Sequence, residues 1–208
     1  HVSLVGSEMC IRDRVNLYPF AETVRAGADY AHCIENIDIG GPAMIRAAAK
    51  NFKYVATLVD IEDYEDLVNE LKTNNGCTSY SFRKKLSQNA FSLTAYYDAV
   101  VSNWMLDNIT IVKPRRFSIS AALSQVLRYG ENPHQSASFF LDENLQVGIG
   151  ASNQIQGKQL SYNNINDTDA ALELVNEFPQ NDGAAAVIVK HANPCGVGVA
   201  NSLVEAYR

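Results

Sequence analysis

Two short segments of this chain concentrate side chains that can bind and activate a substrate. Residues 127–135 read LRYGENPHQ, in which Arg128 can bind a phosphate through two parallel N–H groups and Tyr129 can stack on a flat heterocycle. Lys190 and His191 follow an apolar run, and the neighbouring cation favours the neutral imidazole, which can accept a proton. Residue types alone leave a surface turn and a solvated strand end open as alternatives for the two segments.

A third segment, residues 36–42, leads into a predicted helix over residues 42–50. The N-terminus of a helix binds phosphate well, because its backbone N–H groups are free and the positive end of the dipole lies there. The candidate binding groups are the backbone of Gly40 and Gly41 and the side chains of Arg46 and Lys50, which share a helix face. The alternative is an ordinary loop in which Asp38 caps the helix.

The composition is that of an ordinary globular protein. Of the 208 residues, 47% are hydrophobic and 19% are charged, and the formal net charge is −6. Without a block of Lys and Arg, nucleic acid is not expected as the main partner, and no stretch approaches the ~20 apolar residues that span a bilayer. The four cysteines lack CxxC spacing, which favours a reduced, cytoplasmic setting without a disulfide framework or a zinc site.

Strand-like and helical patterns alternate along the chain, which predicts an α/β fold. The predicted strands cover residues 54–59, 136–141 and 184–189. The predicted helices cover residues 42–50, 61–72, 79–106 and 166–178, and a last one starts near Ser202. The third of these is either one long helix or two broken ones. Periodicity is lost over residues 107–120, which predicts a linker between two domains.

The three polar segments together resemble the bifunctional AICAR transformylase/IMP cyclohydrolase family of purine biosynthesis, over about residues 15–208. The resemblance implies the C-terminal part of a methylglyoxal-synthase-like domain over residues 15–119. The start of a cytidine-deaminase-like transformylase domain follows over residues 120–208. The resemblance also implies a cytoplasmic homodimer with transformylase sites shared between subunits, acting on nucleotide and folate substrates and not on nucleic acid or membranes.

Residues 1–14, which read HVSLVGSEMCIRDR, do not fit this resemblance. The family has an apolar strand before its Asn-Leu-Tyr-Pro-Phe segment, whereas this run resembles a translated sequencing adapter. We therefore expect residues 1–14 to be a non-native segment that does not pack against the fold, with a native insertion as the alternative. The chain is then expected to be an internal fragment of a longer enzyme.

In the first domain, the resemblance implies that Tyr18, Asp38 and Lys50 catalyse the cyclisation of FAICAR to IMP. Ring closure removes a proton from a weak nucleophile and stabilises charge on the formyl oxygen. Such a cluster can do both, because neighbouring charges shift each pKa. We expect Asp38 and Lys50 to face one pocket near the start of the helix, with Tyr18 close by. The family's Lys-Thr-Leu-His-Pro loop, which also lines this site, does not occur in the sequence.

In the second domain, the resemblance implies formyl transfer to AICAR from 10-formyltetrahydrofolate as co-substrate, with no metal needed for catalysis. Lys190 and His191 match catalytic positions, with His191 assigned to the proton and Lys190 to the oxyanion, or the reverse. Arg128, Tyr129 and Asn164 match positions that hold the nucleotide, and helix capping is an equal alternative for Asn164. Residues 193–196 are expected to form the turn that brings the Lys-His pair into one site.

Two other functions remain open. The chain on its own could be an inactive fragment that acts at most as a phosphate-ligand binding module, in which case it would bind nucleotide without turnover. A monofunctional transformylase is the other, and the presence of Tyr18, Asp38 and Lys50 argues against it.

Overall fold

The computed structural model describes residues 11–110, 113–142, 147–179, 181 and 183–208. The chain divides into two compact units, His1–Ser120 and Ala121–Arg208, whereas the sequence predicts a boundary one residue earlier. Both helices and strands occur in each unit, which confirms a mixed α/β protein.

Seven α-helices, one short 3-10 helix at Ile149–Ala151 and six strands lie in the described residues. The helices are α1 Phe20–Arg25, α2 Tyr30–Glu35, α3 Gly40–Lys50, α4 Asp63–Thr73, α5 Tyr80–Asp107, α6 Tyr162–Asn176 and α7 Leu203–Tyr207. The strands are β1 Ile11–Arg14, β2 Val55–Leu58, β3 Ala122–Val126, β4 Ser138–Leu141, β5 Ala184–Lys190 and β6 Asn193–Ala200. Within this part of the chain, none of the helices is both long and apolar enough to cross a membrane.

The core of the first unit forms where β2 packs against α5. All four residues of β2 are buried, as expected for an apolar strand covered on both faces. Ala56 and Leu58 of β2 pack with Phe82 and Leu86 of α5. The side chain of Ser79 accepts a hydrogen bond from the backbone N–H of Phe82 and so caps α5. α5 then runs for 28 residues as one helix, which settles the alternative that the sequence left open.

The expectation that residues 1–14 do not pack against the fold is wrong for the last four of them. Ile11–Arg14 forms β1, which pairs in parallel with β2 from Ile11 opposite Val55 to Arg14 opposite Leu58. The guanidinium of Arg14 also lies 5.2 Å from the centre of the Tyr64 ring. A strand adds to a sheet through its backbone, so a charged sequence can pair where an apolar one is expected. The other residues that this expectation concerned, 1–10, lie outside the described residues.

A second cluster in the first unit is aromatic and lies near the C-terminal end of α5. Phe20 is 1% exposed, and its ring meets those of Tyr97 and Trp104 edge-on, with centroid distances of 6.3 and 5.4 Å. The Tyr30 ring stacks on Trp104 at 5.1 Å. Edge-to-face pairs of this kind stabilise beyond the area they bury.

Phe20→Ala is expected to destabilise the first unit by about 3–5 kcal/mol, because a buried aromatic ring is replaced by a cavity. Trp104 is the single tryptophan of the chain and touches Phe20, so urea unfolding followed by its fluorescence measures this loss. Phe117→Ala is the matched control, since Phe117 is 77% exposed. Equal unfolding midpoints for the two variants would contradict the packing described.

The second unit is built from two antiparallel hairpins and two helices. β3 pairs with β4, and β5 pairs with β6. Among the described residues of this unit, Leu127 is the one buried apolar side chain, and Ile188, Val197 and Val199 are each at least 43% exposed. The unit therefore leaves much of its apolar surface in contact with solvent.

Two sequence expectations for this unit are wrong in detail. Residues 193–196 do not form a turn but begin β6, and the reversal of the chain lies at His191 and Ala192. The helix predicted from residue 166 begins four residues earlier, at Tyr162, because its capping residue is Ser161. The predicted strands 136–141 and 184–189 are confirmed as β4 and β5.

Candidate active sites

In the first unit, the carboxylate of Asp38 joins two segments of the chain. Its Oδ1 accepts a hydrogen bond from the backbone N–H of Gly41 at 2.7 Å, and its Oδ2 accepts one from the backbone N–H of Tyr18 at 3.2 Å. The first contact stabilises the start of α3, where N–H groups lack helical partners. The second brings Tyr18 next to Asp38, as the sequence analysis expects. The backbone N–H of Gly41 is thus already paired with a carboxylate.

Gly41 is required for this close approach. A Cβ at this position would lie 2.5 Å from Oδ2 of Asp38 and 2.7 Å from Cδ2 of Leu17. Both distances are too short for nonbonded atoms. At Gly40, by contrast, a Cβ would meet nothing within 4 Å. Of the two glycines, only Gly41 is needed for the packing of the Asp38 carboxylate.

Tyr97 of α5 holds the loop that carries Asp38. Its hydroxyl accepts a hydrogen bond from the backbone N–H of Asp38 at 2.8 Å and donates one to the carbonyl of Asn36 at 3.3 Å. Burial, the largest cause, raises the pKa of Tyr97, so the hydroxyl keeps the proton that it donates. The sequence gives no signal for the role of Tyr97, because nothing local connects positions 59 residues apart.

Lys50 lies at the end of α3 that is remote from Asp38, and a pocket shared by the two side chains stays a prediction. Lys50 is the last of the 11 residues of α3, and the helix rises by about 1.5 Å per residue, so roughly 15 Å separate its two ends. Asp38 precedes the first turn. Arg46, also on α3, stacks on the ring of Phe91 at 5.5 Å. The structure thus brings Tyr18 and Asp38 together and leaves both cations further along the helix.

In the second unit, Arg128 and Tyr129 form a stacked pair. The guanidinium carbon of Arg128 lies 4.8 Å from the centre of the Tyr129 ring, and Nη2 of Arg128 donates a hydrogen bond to the Tyr129 hydroxyl at 3.2 Å. Arg128 is exposed and Tyr129 is half-buried. A cation and an aromatic face held side by side can bind the phosphate and the base of one nucleotide.

Backbone hydrogen bonds attach this pair to the beginning of α6. The N–H of Arg128 donates to the carbonyl of Leu160 at 3.1 Å, and the N–H of Tyr162 donates to the carbonyl of Tyr129 at 3.2 Å. The side-chain amide of Asn163 donates to the carbonyl of Glu131 at 2.9 Å. The Arg-Tyr-Gly segment is therefore fixed relative to the first turn of α6.

Asn164 lies in that first turn and has a structural role. Its Oδ1 accepts hydrogen bonds from the backbone N–H and the hydroxyl of Ser161, at 3.1 and 3.0 Å. The Ser161 side chain in turn caps the backbone N–H of Asn164, which completes a capping box. Asn164 thus lies two residues from the contact between Tyr162 and Tyr129. The capping alternative of the sequence analysis is confirmed, and a nucleotide contact stays a prediction.

His191 lies in the tight turn between β5 and β6. Its φ is 54° and that of Ala192 is 56°, while Lys190 and Asn193 pair on either side. Two positive φ angles in a two-residue hairpin loop match the right-handed twist of the strands. Neither residue is glycine, so the conformation costs roughly 1–3 kcal/mol per residue. The backbone leaves strand geometry directly after Lys190, which frees His191 from the alternation of a strand.

The turn is also attached to α6. Oδ1 of Asp167 accepts a hydrogen bond from the backbone N–H of Ala192 at 2.8 Å. Asp167 follows Asn163 by four residues and so shares its helix face. One face of α6 therefore carries the anchor of the Arg128–Tyr129 pair and the anchor of the His191 turn. In the described part of the chain, no group of three or more His, Cys, Asp or Glu side chains is arranged to hold a metal ion.

The sequence of the chain is similar to that of one known family. A profile of the AICARFT/IMPCHase bienzyme family matches residues 48–208. The chain belongs to this family. The profile match includes every candidate residue of the second unit, and of the first-unit candidates it includes Lys50.

Curated members of the AICARFT/IMPCHase bienzyme family are similar over nearly the whole chain. A "Bifunctional purine biosynthesis protein PurH" of Dinoroseobacter shibae is 61% identical over 193 residues, which are 93% of this chain and 36% of that protein. Proteins of the same name from Ruegeria pomeroyi and Rhizobium johnstonii are 57% and 54% identical over 194 residues. The chain thus spans about 36% of the length of the curated relatives that it matches.

Proposed function

We propose that this chain is a segment of a bifunctional enzyme that carries out the last two steps to IMP. The first step transfers a formyl group from 10-formyltetrahydrofolate to AICAR, and the second cyclises the product, FAICAR, to IMP. The observation that carries the proposal is the attachment of both the Arg128–Tyr129 pair and the His191 turn to α6. Membership of the family and the name of the relatives support the same activity.

In the formyl transfer, the second unit supplies the nucleotide anchor and the proton acceptor. Arg128 binds the phosphate of AICAR and Tyr129 stacks on its base, with Asn164 as a further contact. The 5-amino group attacks the formyl carbon, and His191 removes its proton. Lys190 stabilises the negative charge that develops on the formyl oxygen. The C–N bond to the folate then breaks, and the folate nitrogen takes a proton as it leaves. No step uses a metal.

In the cyclisation, the first unit acts through Tyr18 and Asp38. The carboxamide nitrogen of FAICAR bonds to the formyl carbon, loses a proton, and water leaves. The backbone N–H of Tyr18 holds the Asp38 carboxylate, and we assign removal of that proton to these two residues. The start of α3 around Gly40 offers backbone N–H groups to a phosphate. Lys50, further along the helix, is assigned to stabilising the charge on the formyl oxygen, and Arg46 to binding the substrate.

The proposal includes the finer fold and the setting of the enzyme. The first unit is assigned to a methylglyoxal-synthase-like domain and the second to a cytidine-deaminase-like domain. The complete enzyme is a cytoplasmic homodimer whose transformylase sites are shared between subunits. Analytical ultracentrifugation of the complete enzyme tests the dimer directly.

Arg128→Ala in the complete enzyme tests the nucleotide anchor. Loss of a charge-assisted phosphate contact, worth about 1.5–3 kcal/mol, should raise the Kd of AICAR by roughly 10- to 150-fold. Calorimetric titration with AICAR measures this, and the cyclohydrolase activity should be unchanged because its residues lie in the other unit. An unchanged Kd would remove Arg128 from the site.

The alternative, an inactive phosphate-ligand binding module, applies to the 208-residue chain by itself. Titration of the isolated chain with AICAR, together with an assay of both activities, distinguishes the two. If the isolated chain binds AICAR without turnover and the complete enzyme is fully active, the proposed function holds for the complete enzyme. The binding-module alternative then holds for the 208-residue chain by itself. A complete enzyme with neither activity would overturn the proposed function.

A further inference from the structure

The turn at His191 and Ala192 needs support from outside the hairpin. Both residues have φ near +55°, a conformation that residues other than glycine, asparagine and aspartate rarely adopt. Inside the turn, the side-chain amide of Asn193 donates a hydrogen bond to the carbonyl of His191 at 2.6 Å. This local bond spans two residues and cannot fix the turn relative to the rest of the unit.

Asp167 provides the external support. Its carboxylate accepts a hydrogen bond from the backbone N–H of Ala192 at 2.8 Å. This bond is half-buried and joins residues 25 positions apart in the sequence. Hydrogen bonds to an ionised acceptor are about twice as strong as those between neutral groups. Asp167 lies in the second turn of α6, where the helix backbone is regular. The turn is therefore held by a charged group on a rigid element.

The same helix holds the nucleotide anchor, so Asp167 sets the position of His191 relative to it. The side-chain amide of Asn163, four residues before Asp167, donates a hydrogen bond to the carbonyl of Glu131. The backbone N–H of Tyr162 donates one to the carbonyl of Tyr129. Four residues of helix advance by about 6 Å. The His191 turn and the Tyr129 segment are thus both hydrogen-bonded to one short stretch of α6. This stretch sets the distance between the proton acceptor and a base stacked on Tyr129.

We propose that Asp167 is a positioning residue for formyl transfer, which holds the His191 turn in register with the nucleotide anchor through its bond to the N–H of Ala192. The inference rests on the proposed function. Asp167 need not touch the substrate, because its effect is transmitted through the backbone of the turn.

Three variants of the complete enzyme test this. Asp167→Ala should lower kcat for formyl transfer by up to about 100-fold, since misplacing a reacting group by about 1 Å has an effect of that size. The KM values for AICAR should change little, because Arg128 and Tyr129 are untouched. Asp167→Asn keeps an oxygen acceptor in place and should restore most of the rate. Asp169→Ala is the matched control, because it removes an exposed carboxylate from the same helix.

Coupling to His191 distinguishes positioning from general stability. In a His191→Ala background, Asp167→Ala should have little further effect on kcat, because residues that act through one another are not additive. Binding of AICAR by each variant reports whether the second unit is folded. If Asp167→Ala no longer binds AICAR, Asp167→Asn decides.

The outcomes separate this inference from the proposed function. Wild-type kcat in Asp167→Ala, beside a slow His191→Ala, overturns the inference alone. An Asp167→Asn variant as slow as Asp167→Ala also overturns it, as would strict additivity with His191→Ala. Absence of formyl transfer in the wild-type enzyme overturns the proposed function and the inference with it.

Discussion

His191→Ala in the complete enzyme should lower formyl transfer by about 10²- to 10⁴-fold, the range typical for loss of a general acid–base group. The 5-amino group of AICAR is a poor nucleophile, because its lone pair is delocalised into the ring. Attack on the formyl carbon therefore depends on removal of its proton. His191 is exposed at the tip of the β5–β6 turn, where an imidazole can reach a bound substrate. Steady-state assays of formyl transfer with saturating folate measure the loss.

Binding of AICAR should survive this substitution, because the phosphate and the base are held by Arg128 and Tyr129. The internal control is the cyclohydrolase activity of the same protein, which depends on the first unit. A His191→Ala enzyme that transfers the formyl group at the wild-type rate would show that the catalytic assignment is wrong. Loss of both activities together would instead indicate a folding defect, and His191→Gln, which keeps a side chain of similar size, would then decide.

Gly41→Ala should lower the cyclohydrolase activity by about 100-fold, the effect expected when a catalytic group is displaced by about 1 Å. The new Cβ would lie 2.5 Å from Oδ2 of Asp38, so the carboxylate must move. That movement breaks its bond with the backbone N–H of Tyr18, and the two groups separate. Overpacking of this kind also destabilises a fold by about 1–3 kcal/mol. Assays with FAICAR and thermal unfolding measure the two effects.

Gly40→Ala is the control that isolates the cause. It makes the same chemical change one residue earlier in the same helix, where a Cβ meets nothing within 4 Å. Helix propensity alone favours alanine over glycine by up to about 1 kcal/mol. We therefore expect Gly40→Ala to be at least as stable as the wild type and to lose far less cyclohydrolase activity than Gly41→Ala, because its backbone N–H is retained. If the two variants behaved alike, the close contact at Gly41 would not matter for the site.

The longer helices and the apolar strands were predictable from the sequence. The apolar period of α4 and α5 extends over several turns, and β2 is flanked by polar loops. The short helices α1 and α2 have six residues each, too few to show a helical period. β6 contains Pro194 and two glycines, which are typical of a turn. Pro194 is accommodated because the pairing register shifts next to it, between Ile188 and Val189.

The residues of the candidate sites could be predicted from the sequence, but the residues that hold them in place could not. Tyr18, Asp38, Arg128 and His191 stand in unusual motifs that the family resemblance identifies. Tyr97 and Asp167 act through contacts to Asp38 and Ala192 that span 59 and 25 residues. Such contacts depend on how the helices pack, which cannot be predicted from the local sequence.

The hairpin of β5 and β6 has a consequence for handling the protein. Among the described residues, this sheet has two strands, so each strand presents an outer row of backbone N–H and C=O groups. β5 reads AAAVIVK and has no charge before Lys190. Unpaired edges of uncharged, apolar strands pair readily with the same edge of another molecule. The 208-residue chain should therefore aggregate with increasing concentration, and placing a lysine at the exposed Ile188 should reduce it.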